Sequence, residues 1–496
     1  MTVQRARLAG VIDIGSNSVR LVICEVLGGS ILQNFNEKVM AGLGEGLMKT
    51  GELSPRGIDA ALNALSRYRA ILRALNVDTY EAVATAAVRV AADRDAFLKK
   101  AERMLGRPVR LLSGADEARL SARGVDLSIH NPIGVIGDLG GSSLELKRIG
   151  LASGQGEEGD SLMLGPLALS DISGEPKELR RRVREALKAS AALQGVSGRF
   201  YAVGGAWRAF GRLVMELDRY PLQVLQGFQM TEGQIARAAK LCIDSLGNPG
   251  ARAQIEAIDR RRARHFPVAA ILMEEILNVS GLDGVTISAA GVREGVVHEL
   301  LNMPISDPLT DGVIAFARLD SNQIAFGRAL HEFIAPALVP QPDLFGSPAA
   351  DIRIEKAACM MADSAGRFHP DHRAEMAYDQ ALRAPYLGVT HAERAMIAHA
   401  IGARYEKDFR RPQEHLALTT EPQADRARQI GLLMRLGAVF SGRSGPILKR
   451  AELRREGETL LLQVSRKDAK LLSETVERRL SQAATQLRLK PAMNVR

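Results

Sequence analysis

Two stretches of the chain carry the same order of apolar and polar positions. From Gly10 to Val26 the residues read GVIDIGSNSVRLVICEV, with apolar positions alternating before and after a small polar turn. From Pro132 to Ile149 they read PIGVIGDLGGSSLELKRI: an apolar strand, an Asp, a Gly-rich polar turn and an alternating strand. Alternation on both sides of a tight turn predicts a β-hairpin in each place. Solenoid repeats recur every ~20–50 residues. A whole hairpin repeated once at a much longer interval predicts two duplicated half-domains instead.

Between and after the hairpins, strand and helix patterns alternate. Ser54 to Leu75 has apolar residues at helical spacing, with Ser54 placed as N-cap and Pro55 at the first helical position. Tyr80 to Ala91 reads as a buried strand running into a helix start, and Pro108 to Gly124 as strand, turn and helix. Phe200 to Val214 and Gly284 to Leu301 repeat that logic with glycine turns. Such alternation predicts α/β layering. Asp307-Pro308 and the turn-rich Val339 to Pro348 interrupt it. From Ala349 to about Leu436 the pattern is mostly helical. Ala451 to Val464 predicts a hairpin with a basic–acidic helix after it. The expected units are residues 1–126 and 127–305 as α/β halves, 306–435 as a helical domain and 436–496 as a small α+β tail.

Composition changes this picture in five respects. A length of 496 residues is too much for one core. No apolar run is long enough to span a bilayer, and the opening MTVQRARLAG lacks the apolar stretch of a signal peptide. Cys24, Cys242 and Cys359 lie far apart, which argues against a disulfide framework or a zinc site and places the chain in a reducing cytoplasm. The net charge is +9, with clusters at Arg180, Arg181, Arg182 and Arg184 and at Arg260, Arg261, Arg262 and Arg264. These are either solvated helix faces or attractors of a long polyanion. Aromatic residues make up only 4%, which disfavours recognition by stacking on bare bases.

The candidate chemistry lies in the turns. Gly15 permits close backbone approach, successive N–H groups after it form an anion nest, and Ser16, Asn17 and Ser18 add side-chain donors. Asp13 stands where it could hold a magnesium ion through water. Asp138, Gly140, Gly141, Ser142, Ser143 and Glu145 repeat the arrangement. Two facing nests would hold adjacent phosphates of one chain, with the acids supplying a divalent cation. The spacing is not that of a Walker loop. Gly204 and Gly205, before a helix, offer further N–H groups, and Arg208 a charge-assisted bond. Arg89, at a strand-to-helix junction, is either a phosphate clamp or a surface residue. The acids of Ser113-Gly114-Ala115-Asp116-Glu117 either cap a helix or supply a general base. His265, His298 and His331 show no metal-ligand spacing, and the Phe368–His372 run reads as a turn between helices in preference to a metal site.

Together, IDIGSNSVRLVI (Ile12–Ile23), ATAAVR (Ala84–Arg89), SGADEARL (Ser113–Leu120), DLGGSSLEL (Asp138–Leu146), AVGGAWR (Ala202–Arg208) and GVREGVV (Gly291–Val297) resemble the bacterial exopolyphosphatase / guanosine pentaphosphate phosphohydrolase family. That family belongs to the actin-like, sugar-kinase and Hsp70 superfamily, so the resemblance implies two duplicated actin-like (ribonuclease H-like) halves. It implies Glu117 as catalytic base, Asp138 and Glu145 as catalytic or metal-binding acids, and phosphate contacts from Asn17, Ser18, Arg89, Gly140, Gly141, Ser142, Gly204, Gly205 and Arg208. The implied reaction is magnesium-assisted attack of water on a terminal phosphoryl group, with inorganic polyphosphate as substrate and guanosine pentaphosphate as the alternative. A homodimer is implied by the family alone. The chain departs from the usual pattern at Ser142, in place of a third glycine, and at Ala206, in place of Thr. Asp93 stands for the usual Asn, and Leu162–Ser170 lacks the usual Arg. The helical region resembles a degenerate His-Asp-type domain, with Ala362-Asp363 where a metal site needs His-Asp. Those departures keep open a non-catalytic polyphosphate or nucleotide sensor. A kinase of the superfamily and a nucleic-acid-binding module are weaker alternatives.

Overall fold

The computed structural model describes residues 6–150, 159–304, 306–339 and 344–496. Residues 6–308 form one unit and 309–496 another. In the first unit, both predicted hairpins are present. β1 (Arg7–Ile14) pairs antiparallel with β2 (Val19–Leu27), which pairs with β3 (Ser30–Val39). β4 (Tyr80–Ala84) and β5 (Val109–Leu111) then add in parallel, giving the order β3-β2-β1-β4-β5. The second sheet repeats this order with β6 (Gly134–Leu139), β7 (Leu144–Ile149), β8 (Asp160–Leu162), β9 (Arg199–Val203), β10 (Gln229–Met230) and β11 (Val285–Ile287). Its order is β10-β11-β9-β6-β7-β8, so β8, β7, β6, β9 and β11 stand where β3, β2, β1, β4 and β5 do. This is the duplicated actin-like architecture.

Helices cover the sheets where the pattern predicts them. α1 (Pro55–Ala74) starts with Ser54 Oγ accepting from the Gly57 N–H at 3.3 Å. α2 (Gly114–Asp126) is fixed by a reciprocal cap between Ser113 and Asp116. Later come α3 (Pro176–Lys188), α4 (Gly205–Leu217), α5 (Phe266–Ser280) and α6 (Val292–Leu301). α2 and α6 pack against each other and serve both sheets. Leu120 of α2 and Val296 and Val297 of α6 pack with Val11, Val22 and Val83 of the first sheet. Ala122 and Val125 pack with Ile136, Tyr201 and Val203 of the second. The remaining faces close two larger cores, one around Leu65, Tyr68 and Phe97, the other around Phe200, Trp207 and Phe210.

The second unit is mainly helical, with long helices at His391–Tyr405 and Glu421–Ser441. The predicted hairpin forms as β12 (Glu452–Glu456) and β13 (Thr459–Val464). The sequence pattern did not reveal β14 (Lys490–Val495), which joins β13 in parallel. It is an exposed edge strand with Pro491 inside it, so it lacks the alternation that marks a half-buried strand. Among the described residues no helix is long and apolar enough to cross a membrane.

Candidate active site

The parallel strands of both sheets point their carboxyl ends at one cavity, the usual place for a ligand site in such sheets. The two hairpin turns are built alike. The Gly15 N–H donates to the Ser18 carbonyl at 3.0 Å, and the Gly140 N–H to the Ser143 carbonyl at 2.9 Å. Each turn is braced from behind. The N–H groups of Gly42 and Gly44 reach the carbonyls of Asn17 and Ser16, and those of Gly165 and Leu167 reach Ser142 and Gly141. Backbone carbonyls of both turns are thereby occupied.

The cavity is lined by Asp13, Gly15, Ser16, Asn17 and Ser18 from the first turn and by Asp138, Gly140, Gly141, Ser143 and Glu145 from the second. Glu117, Gly204, Gly205 and Arg208 complete the predicted set in the lining. Two expected phosphate contacts do not line it. Arg89 turns to Glu117, donating to Oε1, while its Nη1 also meets the Leu112 carbonyl at 2.7 Å. Its Nη2 lies 3.9 Å from Glu145 Oε1. It therefore links two acids and is not a free clamp. Ser142 lies behind the lining, bonded to Ser16.

The duplicated hairpins have diverged in charge. Asp13 faces Arg20 in the β1–β2 register, and at the equivalent place Asp138 faces Glu145. One side of the cavity thus gathers Glu117, Asp138 and Glu145. Ser121 Oγ donates to Asp138 Oδ2, and Ser161 Oγ to Glu145 Oε1 at 3.0 Å. Burial, then Glu145, pushes Glu117 toward its protonated form, and burial raises Glu145, Asp138 and Asp13 as well.

Five cations also line the cavity: Arg20, Lys38, Arg208, Arg262 and Arg293. Of these, Arg208 was expected, and Arg262 belongs to the second basic cluster read as a possible polyanion attractor. Burial, then the neighbouring arginines, lowers Arg20 and Arg208 to about 10 and Lys38 to about 8. His265, also in the lining, is lowered to about 4 by burial and then by Arg264 and Arg262. Arg20 had a readable signal, since it occupies the offset from Asp13 that Glu145 occupies from Asp138. Lys38 comes from a distant segment with no local motif, and Arg293 lies in the GVREGVV stretch without having been given a role. Of the two predicted basic clusters, the first lies on a helix whose Arg181, Arg182 and Arg184 are exposed. Arg180 and Arg184 hold the buried Glu275, and Arg181 pairs with Glu178 and Glu185. The second supplies Arg262 to the cavity, while Arg260 and Arg261 are exposed beside it.

Residues 22–303, more than half of the chain, match the Ppx/GppA phosphatase family. The chain belongs to that family. Residues 345–492 match a second family, described as exopolyphosphatase, C-terminal. Across 485 residues, 92% of each chain, it is 24% identical to a guanosine-5'-triphosphate,3'-diphosphate pyrophosphatase of Vibrio vulnificus. Among solved structures, a Ppx/GppA family member of Aquifex aeolicus shares the fold with a TM-score of 0.53 at 24% identity, over 60% of this chain and 99% of that one. An exopolyphosphatase of Cytophaga hutchinsonii does so at 0.53 and 22%, over 60% and 100%. As a Ppx/GppA phosphatase, the protein is a hydrolase of phosphoric anhydrides.

The donor set of the site suits a hard cation. Its acids are buried oxygen ligands driven toward protonation by burial and by each other, and a divalent ion would reverse both effects. Among the described residues no three acids, imidazoles or thiolates form a ready-made cage. Magnesium is commonly held in just this manner, by one or two carboxylates plus waters and substrate phosphates.

Proposed function

We propose that the protein is an exopolyphosphatase, releasing orthophosphate from the end of inorganic polyphosphate. The observation that carries this reading is the make-up of the cavity wall. Arg20, Lys38, Arg208, Arg262 and Arg293 face an acidic cluster, and the described lining holds no Phe, Tyr or Trp. A repeated polyanion suits such a wall; a nucleobase is usually gripped by an aromatic face. The two turns hold the terminal phosphates through backbone N–H groups, Ser16, Asn17 and Ser18. Glu117 takes the proton of the attacking water, and Arg89 fixes its orientation. Asp138 and Glu145 would hold a magnesium ion, with Asp13 as a further acid nearby, and that ion would neutralise charge on the phosphoryl oxygens in flight.

A second reading, a guanosine pentaphosphate phosphohydrolase, is favoured by the name of the Vibrio vulnificus relative. Parallel assays of orthophosphate release from long-chain polyphosphate and from guanosine pentaphosphate, with magnesium, separate the two. Higher kcat/KM on polyphosphate is expected. The reverse preference would replace the first reading by the second, and tight polyphosphate binding without release would leave a sensor.

Lys38 gives this reading a pH signature. It attracts a polyanion only while protonated, and with its pKa lowered to about 8 it loses that charge as pH rises through that value. The KM for polyphosphate should therefore climb several-fold between about pH 7 and about pH 9.5 in the wild type. In Lys38→Arg, which keeps its charge, the climb should be much smaller. Parallel profiles for the two proteins would remove Lys38 from substrate binding.

A further inference from the structure

The two phosphate turns touch each other behind the cavity. Ser142 Oγ donates to Ser16 Oγ at 3.2 Å, a bond that joins one half-domain to the other. Both side chains are buried, and only Ser16 lines the cavity. The surrounding backbone leaves little slack. A Cβ on Gly141 would stand 3.0 Å from Ser16 Cβ, and one on Gly165 would stand 2.4 Å from the carbonyl carbon of Ser142. The Ser142 carbonyl accepts from the Gly165 N–H at 3.0 Å, so a braced main chain sets where its hydroxyl sits.

A serine hydroxyl has one proton to donate and two lone pairs to accept with. Ser142 gives its proton to the Ser16 oxygen, which leaves the Ser16 proton available for another acceptor. Ser16 sits in the wall of the phosphate cavity, where that acceptor is a phosphoryl oxygen. We propose that Ser142 is a positioning residue for phosphate binding: it orients the Ser16 hydroxyl as a donor to the substrate across the boundary between the halves. The bond spans the two turns, so the Ser16 hydroxyl of one half is oriented by a residue of the other. A glycine, the residue the family pattern usually has here, carries no hydroxyl to do this. The inference rests on the reading of the cavity as the phosphoanhydride site.

The test is a double-mutant cycle on Ser16→Ala and Ser142→Ala. Binding of orthophosphate and of tripolyphosphate, with magnesium, is measured by calorimetry alongside kcat and KM on polyphosphate. Ser142→Ala should weaken both ligands and raise KM about three- to tenfold, the scale of one neutral hydrogen bond, with kcat nearly unchanged. The double variant should bind no more weakly than Ser16→Ala alone, because Ser142 acts through Ser16. Additive losses would overturn the proposal, as would a Ser142→Ala variant with wild-type affinity. If Ser142→Ala fails to fold, Ser142→Gly carries the same expectation. An enzyme that binds both ligands but prefers guanosine pentaphosphate would sink the exopolyphosphatase reading and leave this cycle decisive. An enzyme that binds neither would sink both.

Discussion

Glu117→Gln should lower kcat on polyphosphate about a thousandfold while moving KM by no more than about threefold, the range expected when a general base is removed and the substrate contacts stay. The substitution keeps the size of the side chain and takes away only its ability to accept the proton of the attacking water. The position is well determined. Glu117 lies in the first turn of α2, whose start is fixed by the Ser113–Asp116 cap, and its carboxylate is held by Arg89 from the short helix Ala86–Val90 that follows β4. Burial and the nearby Glu145 already favour its protonated form, so activity should rise with pH on the acid limb as the carboxylate ionises. Glu117→Gln should flatten that limb. A magnesium titration guards the assignment: if high magnesium restores the variant, Glu117 serves as a metal ligand and another group is the base.

Much of this arrangement is legible in the chain because its chemistry is local. An Asp, a glycine and small polar residues between alternating strands mark each hairpin turn, and the order is repeated, so the halves can be matched before any contact is known. The Ser113–Asp116 cap is likewise a spacing of three residues. Legibility ends where function depends on segments far apart. Lys38 sits on β3, whose residues SILQNFNEKV are mostly half-exposed and show no clear alternation. Arg293 lies two residues after Gly291 at a helix start and looks like any first-turn cation. Arg89 illustrates the opposite failure. Its place at a strand-to-helix junction leaves it open as a phosphate clamp or a surface residue, yet the fold sets it against two buried acids that no local pattern could pair with it. A charge run such as Arg180–Arg184 is equally ambiguous until the buried Glu275 opposite it is seen.

The second large effect lies where the catalytic geometry meets the packing. α2 carries Glu117 and Ser121; the start of α6 brings Gly291, Val292 and Arg293 to the cavity. These helices cross on glycines. A Cβ on Gly295 would stand 2.2 Å from the Leu120 carbonyl oxygen and 2.9 Å from its Cα, and one on Gly124 would stand 2.2 Å from the Gly291 carbonyl oxygen. Backbone cannot swing aside as a side chain can, so Gly295→Ala must push the helices apart. The expected loss is about 2–4 kcal/mol of stability, at or above the usual range for overpacking. A shift of about 1 Å in the base or in Arg293 should also cost about a hundredfold in kcat/KM. Gly233→Ala is the control, since its added methyl meets nothing within 4 Å and it lies in an exposed helix turn. That change should stabilise by about 0.5–1 kcal/mol and leave catalysis unchanged. Urea unfolding and steady-state kinetics on both variants read the two quantities separately. If Gly295→Ala unfolds early but, where folded, turns over at the wild-type rate, the crossing supports the fold without setting the position of Glu117. Loss of both together would mean that the contact between α2 and α6 holds the base and the cationic wall in register.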